Sequence, residues 1–86
     1  MEPGTIHVEW RAPVTVRIGY GTAELVRGPA EACDYLARRW PMLEGFYHDL
    51  AERKCRVAAD RRAAVEESRN LFISAAIEAS VLAGEE

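Results

Sequence analysis

Hydrophobic and polar residues alternate through the first quarter of the chain. Ile6, Val8 and Trp10 fall at period two, as do Val14, Val16 and Ile18, with His7, Glu9, Thr15 and Arg17 between them. Successive side chains of a strand point to opposite sheet faces, so this spacing predicts half-buried strands: a lead-in near Ile6–Trp10 and a firmer strand over Val14–Ile18. Pro13 has no N–H to give to a ladder and separates the two. Gly19-Tyr20-Gly21 then predicts a short hairpin turn, with Thr22–Arg27 returning as the second, antiparallel strand. A lone hairpin is marginal in water, so its apolar face needs a cover.

At Gly28 the pattern changes to a helical period. Pro29 suits the first position of a helix and Glu31 the positive end of its dipole. Cys33, Leu36, Ala37 and Trp40 recur at i, i+3, i+4 and i+7 as one apolar stripe, with Arg38 and Arg39 off it near the end where cations are favoured. Pro41 disfavours helical geometry at Trp40, and the helix stops there. After the turn Pro41–Gly45, a second helix is expected from Phe46 to Ala58, with Tyr47, Ala51, Cys55 and Ala58 on its inner face. Asp49–Arg53 and Glu52–Arg56 are acid-first i,i+4 pairs. Asp60 is the expected N-cap of a third helix, which turns Val65, Ser68, Phe72, Ala75, Ala76 and Ala79 to one side.

The fold class is therefore α+β: an antiparallel β-hairpin packed against three α-helices in a single domain, 1–86, with 1–5 and 83–86 as frayed ends. The expected core is Val16, Leu36, Trp40, Ala51, Cys55, Phe72 and Ala76. Two pairings are open to Ile6–Trp10. It can fold back as a third strand of its own sheet, or pair with a second chain across a two-fold axis and bury Trp10 there. Whether the second and third helices separate near Asp60 is likewise open.

Composition narrows the classes. Eighty-six residues make one small domain, for which oligomerisation is a plausible supplement to a limited core. A hydrophobic fraction of 49% excludes a disordered chain. The net charge of −3, from 11 basic and 14 acidic residues, argues against a dedicated nucleic-acid surface. Two cysteines are too few for a disulfide scaffold, no signal-peptide pattern precedes Trp10, and no apolar run is long enough to cross a bilayer. These point to the reducing cytoplasm, with Cys33 and Cys55 as free thiols and no membrane partner.

Candidate chemistry is sparse. Cys55 and His48 share a helix face seven residues apart, ~10 Å along the axis, too far for a thiol–imidazole hydrogen bond. Cys33 has a route to His48 from the neighbouring helix. His7, Cys33, His48 and Cys55 lack the close ligand pairs of zinc sites. Arg53, Lys54, Arg56, Arg61 and Arg62 form a basic segment with the makings of an anion or nucleic-acid contact, but Asp49, Glu52 and Asp60 are interleaved with it and no aromatic stacking platform is. Gly19-Tyr20-Gly21 joins two strands and opens no helix, so it is no phosphate loop. Trp40 reads as core; Trp10 and Tyr20 are the candidate partner contacts.

From Pro13 to Val81 the chain resembles the domain of unknown function 982 family, small proteins mainly of rhizobia and other alphaproteobacteria. The resemblance rests on Pro13-Val14-x-Val16, the helix start before Ala32, Trp40-Pro41 with Gly45, and Ala51-x-x-x-Cys55. It continues through Arg69-x-x-Phe72-Ile73-x-Ala75-Ala76-x-Glu78-Ala79. Where this chain has Arg61 the family tends to a glycine, and where it has Val65, to a proline. The resemblance implies a compact α+β domain and no catalytic residue or cofactor. On the residues themselves, the first reading is a non-catalytic protein-interaction or homodimerising regulatory module without a cofactor, its protein partner unspecified. The alternatives are a nucleic-acid-binding regulator using the basic segment, and a small-molecule-binding or thiol protein using Cys33, His48 and Cys55.

Overall fold

The computed structural model describes residues 8–42 and 44–83. It is an α+β fold: strands β1 (Val14–Val16) and β2 (Glu24–Val26), then helix α1 (Pro29–Asp34) continued by a π-helical turn (Tyr35–Arg39), then α2 (Phe46–Arg61) and α3 (Val65–Glu78). The strands pair antiparallel, Val14 with Val26 and Val16 with Glu24. All seven expected core residues lie in one buried cluster, joined by Trp10, Val14, Val26, Ala32, Ala75 and Val81.

The strands are shorter than the alternation predicts. Beyond Val16 the backbone of β1 turns to the C-terminal segment instead of β2: Arg17 N–H donates to the Val81 carbonyl at 2.8 Å. Val16 bridges Leu82, and Ala83 N–H donates to the Thr15 carbonyl at 2.9 Å. Ala83, expected to fray, is thus tied to the sheet. The hairpin connection is correspondingly long and leaves Tyr20 fully exposed. Of the lead-in, Ile6 and His7 lie outside the described residues. Trp10 N–H donates to the Arg27 carbonyl at 3.0 Å, a contact within the chain. Gly28, capping α1 with no side chain, leaves room for the Val8 carbonyl, which a Cβ there would strike.

The first helix ends where Pro41 requires, with Trp40 extended at φ −71°, ψ 138°. Its stripe is shifted, however. Ala32, Leu36 and Trp40 are buried at spacings of four while Ala37 is exposed. The i→i+5 bonding of a π turn winds wider than an α-helix and carries Ala37 off the inner face. On α2 the inner face is His48, Ala51, Cys55 and Ala58; Tyr47 faces outward. The positions 48, 51, 55 and 58 keep the helical period without a break, and His48 enters the interior because both its ring nitrogens find partners there.

Asp60 is not an N-cap. Helix α2 runs through it to Arg61, and the chain then reverses on two non-glycine residues in the left-handed region, Arg62 at φ 58° and Ala64 at φ 54°. Left-handed geometry costs an L-residue roughly 1–2 kcal/mol, which glycine avoids at some entropic expense in the unfolded chain. Arg62→Gly is expected to stabilise the protein by about 0.5–1 kcal/mol, read as a higher urea midpoint at unchanged slope. A lower midpoint would show that the exposed Arg62 side chain contributes more than its backbone costs.

Candidate functional site

The inner face of α2 carries His48 and Cys55, two of the three residues that sequence singles out for thiol chemistry, and the packing disarms them together with Cys33 of α1. Cys55 is completely buried, its Sγ 3.8 Å from the Ser68 carbonyl. Burial, reinforced by the nearby Cys33, pushes its pKa up to about 12. Little nucleophilic thiolate exists at neutral pH under those conditions. Cys33 is half-buried against the Glu52 carbonyl at 4.0 Å, and burial raises its pKa as well. Both are free thiols. The His48 ring is hydrogen-bonded to neither: Nε2 lies 2.9 Å from the Leu36 carbonyl and Nδ1 3.1 Å from Asp49 Oδ1. Among the described residues no group of three histidine, cysteine, aspartate or glutamate side chains is placed to hold a metal ion. His7 lies outside them.

Trp10, expected as a partner contact, is 5% exposed. Its Nε1–H donates to Ser68 Oγ at 3.0 Å and its ring lies 5.5 Å from that of Phe72. Two charged side chains of α3 hold down the segment just after Trp10: Arg69 Nε–H donates to the Ala12 carbonyl at 2.8 Å, and Glu66 accepts from Arg11 N–H at 3.0 Å. These are ties of a charged group to a backbone group far away in sequence, which no local spacing announces.

The basic segment is dispersed. Lys54 lies 3.7 Å from Glu67 and Arg56 3.4 Å from Glu52, while Arg53, Arg61 and Arg62 are exposed. Asp49 turns to His48 rather than Arg53. The strongest ionic contact lies elsewhere, between β2 and the π turn. Arg39 grips Glu24 with two hydrogen bonds of 2.6 and 2.7 Å, and Tyr35 O–H donates to the same carboxylate at 2.6 Å. Arg39, and after it Tyr35, holds the Glu24 carboxyl down at about 2, with the guanidinium also 4.9 Å over the Tyr35 ring. With its acceptor oxygens so engaged, this carboxylate acts as a clasp between elements.

A cleft of about 170 Å³ lies between the lead-in and the start of α1, lined by Val8, Glu9, Arg27, Gly28, Ala30 and Glu31. Glu31 is engaged with the Arg27 N–H at 2.9 Å.

The outer face of α2 is different. Phe46, Leu50, Arg53, Val57 and Asp60 follow one another at spacings of four and three, a heptad stripe opposite the packed face. Phe46 is 69% and Val57 44% exposed, and Leu50 is half-buried. The Phe46 ring stands edge-on to Tyr47 at 5.0 Å. The spacing is present in the sequence, but placing Tyr47 on the inner face conceals it.

The family model "Protein of unknown function (DUF982)" matches residues 12–83. The NMR structure of Agrobacterium tumefaciens protein Atu1219, a Northeast Structural Genomics Consortium target, is 30% identical to this chain with a TM-score of 0.77. The match covers 100% of this chain and 89% of that one. No curated protein matches. The chain belongs to the DUF982 family, and the α+β fold anticipated from its sequence is the fold observed. No helix among the described residues is long and apolar enough to cross a membrane.

Proposed function

We propose that this member of the DUF982 family is a non-catalytic interaction module that associates with a second copy of itself through the outer face of α2. The observation that carries the reading is the heptad stripe of Phe46, Leu50 and Val57 on a helix whose other side is already packed. Charge favours a second copy as the occupant. Set antiparallel across a two-fold axis near Ala51 and Glu52, one α2 brings its Phe46 onto Val57 of the other and its Leu50 alongside Arg53. Asp49 then faces Arg56 and, by the two-fold, Arg56 faces Asp49, so acid meets base twice along one flank of the seam. A domain of this size gains from burying such a stripe.

Strand addition, the other route to a dimer, is less favoured. The outer side of β1 is taken by 81–83, Trp10 holds the Arg27 carbonyl, and Trp10 is covered by its own chain. Tyr20 lies outside the α2 stripe. The reading has no catalytic step, since the thiols and the imidazole are spent on structure. Free Cys33 and Cys55 fit a reducing compartment, the cytoplasm.

Sedimentation velocity at tens of micromolar is the test. The expected result is a dimer whose dissociation constant rises about tenfold or more in Phe46→Asp, equivalent to roughly 1.4 kcal/mol or above. Asp49→Arg should weaken it and Asp49→Arg combined with Arg56→Asp restore it. A wild-type chain that remains monomeric throughout overturns the proposal.

A further inference from the structure

We infer that His48 is held as an imidazolium that bridges the Leu36 carbonyl of the π turn and the Asp49 carboxylate, and that loss of its proton on raising the pH leaves Nε2–H on Leu36 and releases Asp49. The geometry begins with a proline. In π bonding the donor to the Leu36 carbonyl is the residue five positions on, and that residue is Pro41, which has no N–H. His48 Nε2 takes the vacant place at 2.9 Å. A carbonyl only accepts, so Nε2 carries a hydrogen. The other nitrogen, Nδ1, lies 3.1 Å from Asp49 Oδ1, and an ionised carboxylate also only accepts. A neutral imidazole has one N–H and satisfies one of these partners; the imidazolium has two and satisfies both. The residue is 4% exposed, and a buried nitrogen facing an acceptor without a hydrogen between them is costly.

The surrounding charges agree with the geometry. From α2 itself, Asp49 and Glu52 face the ring; from α3, Glu78 accepts the His48 backbone N–H at 3.0 Å. The cations of the π turn point to other partners, Arg38 to Asp34 at 3.3 Å and Arg39 to Glu24 at 2.6 Å. Cys33 of α1 is a neutral thiol. A helix N-terminus ordinarily disfavours a cation, and the Glu78 carboxylate offsets that end of α2. Burial pushes the ring towards its neutral form, but the Leu36 carbonyl, Asp49 and Glu52 outweigh it, so the pKa lies above the ordinary 6.5. With the folded value raised, the stabilising contribution is complete below the unfolded pKa and is lost as pH rises through the folded one. The Asp49 contact is made below the ordinary histidine value and is lost as the pH rises through the raised one, while Nε2–H stays on the Leu36 carbonyl.

The test is nitrogen-detected NMR of the His48 ring across that range, with amide exchange of the π turn followed in parallel. The expected result is two protonated ring nitrogens below the ordinary histidine value, Nε2 alone protonated well above it, and a midpoint higher than that value. Asp49→Asn, a change at an exposed side chain, should lower the midpoint. Exchange at Trp40 N–H, corrected for intrinsic rate, should stay level as the ring deprotonates, because Nε2–H remains on the Leu36 carbonyl. A midpoint at or below the ordinary histidine value, or one indifferent to Asp49→Asn, overturns the imidazolium. Exchange that accelerates with the ring's titration overturns the retained Leu36 bond. Asp49 also lies in the proposed seam, so the measurements are made in Phe46→Asp, which disfavours that seam, and the inference stands or falls apart from the proposed function.

Discussion

Phe72→Ala will cost about 3–5 kcal/mol, the range for truncating a buried aromatic. The side chain is completely buried, and it holds the two indoles in place: Trp10 at 5.5 Å and Trp40 at 5.3 Å between ring centres, both tilted. Such pairs add about 0.5–1.5 kcal/mol each beyond the area they bury. The cavity left by alanine has little means of closing. Trp10 is pinned through Nε1 to Ser68, Trp40 is fixed at the corner before Pro41, and α3 is tied to the segment just after Trp10 by Arg69 and Glu66. Domains of this size carry a total stability near the low end of about 5–15 kcal/mol, so the variant will be largely unfolded at physiological temperature. Urea denaturation followed by tryptophan fluorescence measures it. A loss under 1 kcal/mol would mean that the three rings are not the centre of the core.

How much of this was legible follows from the range over which each residue acts. Phe72, Leu36, Val16 and the stop at Trp40-Pro41 declare themselves, because burial follows periodicity and proline acts on its immediate neighbour. The π turn does not: nothing in Tyr35–Arg39 breaks the α pattern, and only the removal of the fifth-on donor by Pro41 gives it a physical basis. His48 reads as one polar residue beside an apolar stripe until the Leu36 carbonyl, on another element, is known to need a donor. Asp60 looks like a cap because the glycine and proline that would mark the break are absent; Arg62 and Ala64 make it in a strained conformation instead. Trp10 is open between core and partner contact in the sequence because the groups that hold it, Ser68 and Phe72, lie more than fifty residues away. The residues carrying the family resemblance mostly turn out to be framework. Trp40, Ala51, Cys55, Phe72, Ala75 and Ala76 are core, and Arg69 and Glu78 tie backbone to helix. The outer stripe of α2 lies largely outside that framework set.

Gly45 and Glu78 show the same logic in a form that a double-mutant cycle can measure. Gly45 is the N-cap of α2 and has no side-chain oxygen to offer. Glu78, at the far end of α3, supplies the missing acceptors, taking Tyr47 N–H at 3.1 Å and His48 N–H at 3.0 Å. Hydrogen bonds to a charged group are worth about 1.5–3 kcal/mol, so Glu78→Ala should cost about that much and loosen both ends of the α2–α3 hairpin. Gly45 has extended backbone, φ 166°, ψ 155°, which any residue adopts. Its importance is space: a Cβ there would lie 2.6 Å from Glu78 Oε1. The carboxylate is the end of a flexible side chain and will move, but in moving it gives up the two N–H groups. Gly45→Ala should therefore cost about as much as Glu78→Ala, and for the same reason. Once Glu78 is alanine there is no carboxylate to displace, and the added methyl should be nearly neutral. The double variant is expected to be no less stable than the worse single one, a coupling of about 1.5–3 kcal/mol by urea unfolding. Strict additivity of the two losses would show that Gly45 acts on something other than the cap.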